Sequence, residues 1–256
     1  MPDPTKSTSL AVVILAAGKG TRMKNPEIAK VMYEINNRPM VDYVVELSGK
    51  LLAARTLVVV GWQKQLVVDY LSKNRTGVEF VEQTEQLGTG HAVLQTREPL
   101  TDFEGDVLVL SGDVPLLTEK TARALIGYHR ASDAVATILT AELDDPSGYG
   151  RIIHNDDDSV KKIVEHKDAT KKELAIKEIN SGIYLFDKQK LFTCLHRITT
   201  NNAQGEYYLT DVFELFWKNE WRVSAVKALD AVEVMGINDL EQLESAQQTM
   251  ALRAST

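Results

Sequence analysis

Residues 10–15 read Leu-Ala-Val-Val-Ile-Leu, followed at once by Ala-Ala-Gly-Lys-Gly-Thr-Arg-Met. A run that is apolar at every position does not suit a strand with one wet face. It suits a strand covered on both sides, the central strand of a parallel sheet. The rest of the first half agrees. A helix is expected from Pro39 as its first residue, then a strand at 57–60, a helix at 63–73 and a strand at 78–81. A short helical stretch follows from Gly90 to about 97, then a strand at 107–110 and a helix at 118–130. Strands and helices in alternation imply βαβ units with right-handed crossovers. Ligands on such sheets sit beyond the carboxyl ends of the strands. The three least ordinary loops, 16–30, 83–90 and 111–117, fall at or near those ends.

The second half changes character. A strand is expected at 134–141, a hairpin across 148–165 with the polar turn His-Asn-Asp-Asp-Asp-Ser, and a strand at 178–186. Helices near 188–197 and 208–219, short strands near 222–228 and 232–235, and a helix from about 239 complete it. The fold class is therefore α/β and Rossmann-like, with a mostly parallel central sheet and an α+β lobe packed on it. Residues 9–256 are expected to be one domain, with halves at about 9–133 and 134–238 and a terminal helix at 239–253. Residues 1–8 are expected to be a mobile tail. Val212, Phe213, Leu215, Phe216 and Trp217 are dense enough to be core.

Composition excludes several functions. The chain has 29 basic and 36 acidic residues, a net charge of -7, and no basic patch of the kind a nucleic acid or an anionic membrane needs. No apolar run approaches the ~20 residues of a membrane span, and the N-terminus lacks a signal-peptide core. A cytoplasmic protein is expected. The single cysteine, Cys194, stands among Leu191, Phe192 and Leu195 and reads as a buried thiol. Five scattered histidines do not make a zinc site.

The glycine-rich loop carries the chemistry. Leu15, Ala16, Ala17 and Gly18 let a ligand approach the backbone, whose N–H groups can cradle phosphate oxygens. Arg22 can add a charge-assisted contact. A dinucleotide fingerprint needs a third Gly or Ala where Met23 stands, and a Walker loop needs four residues where only Lys19 separates the glycines. Taken alone, the loop is equally a plain turn between strand and helix.

The complete string Leu-Ala-Ala-Gly-Lys-Gly-Thr-Arg-Met resembles the signature of the sugar-nucleotide pyrophosphorylases. Within them, further stretches look like the bacterial N-acetylglucosamine-1-phosphate uridylyltransferases. These are Gln-Thr-Glu-Gln-Leu-Gly-Thr-Gly-His-Ala at 83–92, Gly-Asp-Val-Pro-Leu at 112–116, Gly-Tyr-Gly-Arg at 148–151, Val-Glu-His-Lys-Asp-Ala at 164–169 and Asn-Asn-Ala-Gln-Gly-Glu-Tyr-Tyr-Leu-Thr-Asp at 201–211. They keep family order from about residue 10 to 245.

The resemblance implies uridylyl transfer from UTP to N-acetylglucosamine 1-phosphate, with Mg²⁺ and with release of pyrophosphate. It places Gln83, Gly88, Thr89 and Gly112 on the nucleotide beside residues 15–18. Gln83 suits the base because an amide both donates and accepts, as the uracil edge requires. It assigns Gly150, Glu165 and Asn180 to the sugar, and Asp113 and Asn238 to the metal. Arg22 and Lys30 are the expected catalytic cations. Each residue also has a plainer reading. Asn238, with Glu241 three residues on, reads as a helix N-cap with a capping box. His91 has no assigned chemistry, and Tyr207, Tyr208 and Thr210 suit either pocket or packing. Lys30 departs from the family pattern, standing after Ala29 and eight residues beyond Arg22, where Pro-Lys at seven is usual. No hexapeptide repeats are present, so acetyl transfer is not expected, and the sequence leaves the oligomeric state open. The alternatives are a related transferase using UTP or dTTP with glucose 1-phosphate, or a catalytically weak nucleotide-sugar binding module.

Overall fold

The computed structural model describes residues 9–254 other than 24 and 26. The expected tail at 1–8 lies outside the described residues. The strands are β1 (Leu10–Ala16), β2 (Glu34–Ile35), β3 (Arg38–Pro39), β4 (Arg55–Val60), β5 (Val78–Glu82), β6 (Asp106–Ser111), β7 (Ala136–Glu142), β8 (Arg151–His154), β9 (Val160–Val164), β10 (Glu178–Asp187) and β11 (Val223–Lys227). The helices are α1 (Met40–Lys50), α2 (Lys64–Asn74), α3 (Thr89–Leu94), α4 (Glu119–Ala131), α5 (Lys171–Leu174), α6 (Lys188–Leu195), α7 (Asp211–Lys218) and α8 (Leu240–Ala254).

One nine-stranded sheet runs in the order β11-β7-β10-β6-β1-β4-β5, and the β8–β9 hairpin hangs from β10. β1 is central, parallel to β4 on one side and to β6 on the other. Its residues alternate between two cores, as a pleated strand requires. Leu10, Val12 and Ile14 pack with Val41, Val44, Val67 and Leu125 of α1, α2 and α4. Ala11 and Val13 pack with Val93, Leu191 and Phe213 of α3, α6 and α7. Each large apolar side chain so buried is worth roughly 1.5–3 kcal/mol. This is the covered parallel strand that the unbroken apolar run predicts.

The ten-residue β10 is antiparallel to both β6 and β7, which makes the sheet mostly rather than wholly parallel. It therefore joins the two halves through a continuous backbone ladder. Its register with β7 shifts between Asn180 and Ile183, where Gly182 takes φ +80. A glycine tolerates that left-handed conformation without a Cβ clash.

Three expectations are corrected. Pro39 is the N-cap of α1 and not its first residue. Residues 232–235 are no strand. Ala231–Val234 form a 3-10 turn, opened by the Asp230 side chain accepting from the Val232 N–H at 3.0 Å. That turn buries Val234 while Val232 faces out, so a valine alternation serves a turn. Trp217 is 43% exposed, and the Lys161 ammonium lies 5.0 Å from its ring centroid. The other apolar positions of α7 pack inward, with Leu215 only partly covered. Cys194 is buried as expected, and burial pushes its thiol pKa up.

A small satellite core of Met23, Ile35, Met40, Leu116, Ile237, Leu243 and Ala246 seats α8 on the β2–β3 hairpin. This packing brings residues more than 200 positions apart to one end of the sheet. Among the described residues no helix is long and apolar enough to cross a membrane.

Candidate active site

A cleft of about 580 Å³ opens beyond the carboxyl ends of β1, β5 and β6. Residues 15–18 form one wall, with Lys19, Gly20 and Arg22 continuing it. Gln83, Gly88 and Thr89 also line the cleft, as do Lys30, Asp113 and Asn238. Gly112 stands behind the wall, its N–H donating to the Leu15 carbonyl at 2.9 Å. A Cβ there would lie 3.1 Å from that same carbonyl oxygen, so glycine lets the β6 loop press against β1. Gly20 takes φ +61 and begins the turn that points Arg22 back at the cleft.

The charged end is a four-residue cluster. The Lys30 ammonium contacts the Asp113 carboxylate and donates to Asn238 Oδ1 at 2.7 Å. Arg22 donates to the same Asn238 oxygen at 2.8 Å. Asn238 Nδ2 is held by the Gly236 carbonyl at 2.9 Å, which leaves Oδ1 facing the cations. The Ile237 N–H donates to the Asp113 carbonyl at 2.9 Å, tying the start of α8 to the β6 loop. Lys30 reaches this cluster despite its longer spacing from Arg22; positions 24 and 26 of the intervening loop lie outside the described residues.

The expected cap is displaced by one residue. Asp239, not Asn238, accepts from the Gln242 N–H at 2.9 Å, and Gln242 Oε1 reaches back to the Asn238 N–H at 2.7 Å. The pairing uses Asp239 and Gln242 in place of Asn238 and Glu241. The Asn238 side chain is thus released from capping.

At the other end, Gly88 has φ +108, and a Cβ there would sit 2.6 Å from the Tyr207 carbonyl oxygen. Thr89 Oγ1 accepts from the Leu209 N–H at 3.1 Å. Gln83 is 4% exposed. Its Nε2 donates to the Gly88 carbonyl at 3.0 Å and lies 3.1 Å from His91 Nδ1. The amide nitrogen is thus engaged within the protein, through the Gly88 carbonyl.

Gly150, Glu165 and Asn180 form a second group. A Cβ on Gly150 would lie 3.4 Å from both the Asn180 Cβ and Glu165 Oε2. Asn180 donates to the Tyr184 hydroxyl at 2.8 Å, and Glu165 accepts from Thr210 at 3.0 Å. Burial raises the Glu165 pKa. Asp211 is pushed up to about 6 by burial first, then by Glu214, Glu165 and Asp168. The Tyr149 pKa is raised by burial first and then by Asp113, with Arg22 acting in the opposite direction.

Ser111, Gln86, Glu206 and Lys19 line the cleft but do not follow from sequence reasoning. Ser111 ends a buried strand and Glu206 lies in a polar stretch, so neither carries a spacing signal. Thr210 is an N-cap by position, and only its bond to Glu165 reveals the second role. Tyr208 is buried and packs, while the Tyr207 backbone abuts Gly88 and accepts from Gly90.

A mostly parallel sheet with a glycine-lined cleft at its carboxyl edge, two cations and two facing oxygens is that of an α/β protein of the Rossmann-like nucleotidyltransferase fold. More narrowly, the chain belongs to the nucleotidyl transferase family, whose model matches residues 11–234. It is 47% identical over 241 residues to the bifunctional protein GlmU of Streptococcus uberis, and 49% over 244 residues to that of Latilactobacillus sakei. These matches cover 94% and 95% of this chain and 52% of each relative, so the chain spans about half their length. The solved structure of a UDP-glucose pyrophosphorylase with UDP-glucose shares the Rossmann-like nucleotidyltransferase fold. Its TM-score is 0.75 at 18% identity, covering 96% of this chain and 100% of that one.

Proposed function

We propose that the protein transfers a uridylyl group from UTP to N-acetylglucosamine 1-phosphate. The observation that carries this is the convergence of Arg22, Lys30, Asp113 and Asn238 on one end of the glycine-lined cleft. Residues 9–256 act as one domain in this reading, with the nucleotide on the first half and the sugar on Gly150, Glu165 and Asn180. The setting is cytoplasmic and the cofactor is Mg²⁺.

The donor set suits that ion. Asp113 and Asn238 direct two oxygens at a single cationic atom, Lys30 Nζ. Among the described residues no three His, Cys, Asp or Glu gather as a metal cage. Mg²⁺ commonly takes one or two protein oxygens and completes its shell with phosphates and water. When bound, it supplies charge neutralisation on the phosphate oxygens.

The protein's own residues do the rest. Backbone N–H groups of residues 16–18 hold the triphosphate, and Gln83 and Gly88 fix the base. Glu165 and the Gly150 backbone orient the sugar so that its phosphate oxygen faces the α-phosphorus. That oxygen bonds to the α-phosphorus as the α–β bridging bond breaks in line, and pyrophosphate leaves. Arg22 and Lys30 offset the charge that grows on the bridging and non-bridging oxygens.

The test is pyrophosphate release from UTP with N-acetylglucosamine 1-phosphate, beside glucose 1-phosphate, with Mg²⁺ and with EDTA. Metal-dependent release that is fastest with the N-acetylated acceptor supports the reading. Tight UTP binding without turnover overturns it in favour of a binding module.

A further inference from the structure

His91 lies outside the cleft wall, yet both its ring nitrogens face amides. Gln83 Nε2 is 3.1 Å from Nδ1, and Gln95 Nε2 is 3.0 Å from Nε2. Each amide nitrogen also faces a backbone carbonyl, that of Gly88 for Gln83 and that of His91 itself for Gln95. A carbonyl only accepts, so it fixes both amides with nitrogen pointing inward. A neutral imidazole has one lone pair. Two NH₂ groups therefore compete for one acceptor.

Burial decides between them. Gln83 is 4% exposed, whereas Gln95 is half-buried and can turn toward water. An unmet donor is costly only where water cannot replace the partner. The lone pair accordingly belongs on Nδ1, facing Gln83, with the proton on Nε2. Both hydrogens of the Gln83 amide are then spent, one on Gly88 and one on His91. Its Oε1 is left as an obligate acceptor in the cleft.

We infer that His91 is a positioning residue that sets base selectivity: by holding the Gln83 amide in one orientation, it makes the site accept a ring N3–H. Uracil and thymine carry that hydrogen; cytosine has a bare acceptor at N3 and is repelled. His91 thus separates UTP and dTTP from CTP, and does not separate the first two. The inference rests on the proposed nucleotide site.

The experiment uses the whole chain with His91→Leu, His91→Asn and His91→Gln. Asparagine places an acceptor near the Nδ1 position and serves Gln83; glutamine reaches the Nε2 position and serves only Gln95. Dissociation constants for UTP and CTP are measured by calorimetry, with steady-state kinetics beside them. His91→Leu is expected to weaken UTP about tenfold, the scale of one buried hydrogen bond lost. Its effect falls on KM more than on kcat, and the UTP-over-CTP preference narrows. His91→Asn restores most of the preference and His91→Gln does not. An unchanged preference in His91→Leu, or equal rescue by glutamine, overturns the inference while the proposed function stands. A wild-type protein that binds no UTP overturns that function and the inference with it. Nitrogen-15 spectra of the unaltered protein need no variant to fold: a bare Nδ1 on His91 supports the inference, and a protonated one overturns it whatever the protein binds.

Discussion

Lys30 and Arg22 share the Asn238 oxygen, and Lys30 also contacts Asp113. Replacing Asp113 with Ala should remove Mg²⁺-dependent turnover while circular dichroism stays native, because Asp113 lies at a loop and not in a core cluster. Replacing Arg22 with Ala should lower kcat by roughly 10²–10³ with a smaller change in KM, as for a group that meets charge growing in the transition state. A change confined to KM would mean that Arg22 only binds. Asp211 makes a separate prediction in stability. Its folded pKa of about 6 exceeds the ordinary aspartate value because of burial and its acidic neighbours. The folded state therefore holds this proton more tightly than the unfolded chain does. The stabilisation from Asp211 is complete below about pH 4 and is lost as pH climbs through about 6. Asp211→Asn stays neutral throughout, so its melting temperature should overtake that of the wild type between pH 4 and 7. A gap that does not vary with pH would show that Asp211 has no raised pKa.

Among the elements, α8 separates capping from chemistry. Asp239→Ala should cost about 1 kcal/mol of stability, the usual worth of an N-cap, and leave turnover near wild type. Asn238→Ala should do the reverse, which chemical denaturation and the pyrophosphate assay together can read. The same place shows what the sequence makes legible. Asn238 and Glu241 have capping-box spacing, but Asp239 and Gln242 have it too, and only the packing of Ile237 and Leu243 chooses between them. The unbroken apolar run of β1 is readable because a strand covered on both faces leaves no polar positions. Val232 and Val234 mislead because a short valine alternation fits a strand or a turn, and the deciding group is the Asp230 carboxylate beside them. Gln83 is visible as a base-reading amide by resemblance. Its commitment as an acceptor depends on Gly88 and His91 meeting it in space, which no spacing rule encodes.

At the scale of the molecule, β10 ties the halves together. Its ladder to β6 joins the β1–β4–β5 side to the β7–β11 side, and Phe186, Phe213 and Phe216 pack in the same core as Val13 and Leu57. The halves should accordingly unfold together. Far-ultraviolet dichroism and tryptophan fluorescence, which samples Trp62 in one half and Trp217 and Trp221 in the other, should melt in one coincident transition. Separate midpoints would show two independent units. UTP at a hundred times its dissociation constant should raise stability by about 2.7 kcal/mol for both probes.

The β8–β9 hairpin stands apart from that ladder, joined to β10 through the pairing of Ile179 with Arg151. Gly150 leads into one arm and Glu165 follows the other, while the glycine-rich loop and the Asp113 loop follow β1 and β6. The hairpin's Ile152, Val160 and Ile163 are buried in the core of the central strands, while its turn at residues 155–158 is mostly exposed, so changes at the turn disturb the sheet least. With the sugar on the proposed site, a lineage could alter acceptor choice through the hairpin ends, but only within the limits set by Asn180, which the central strand β10 holds fixed.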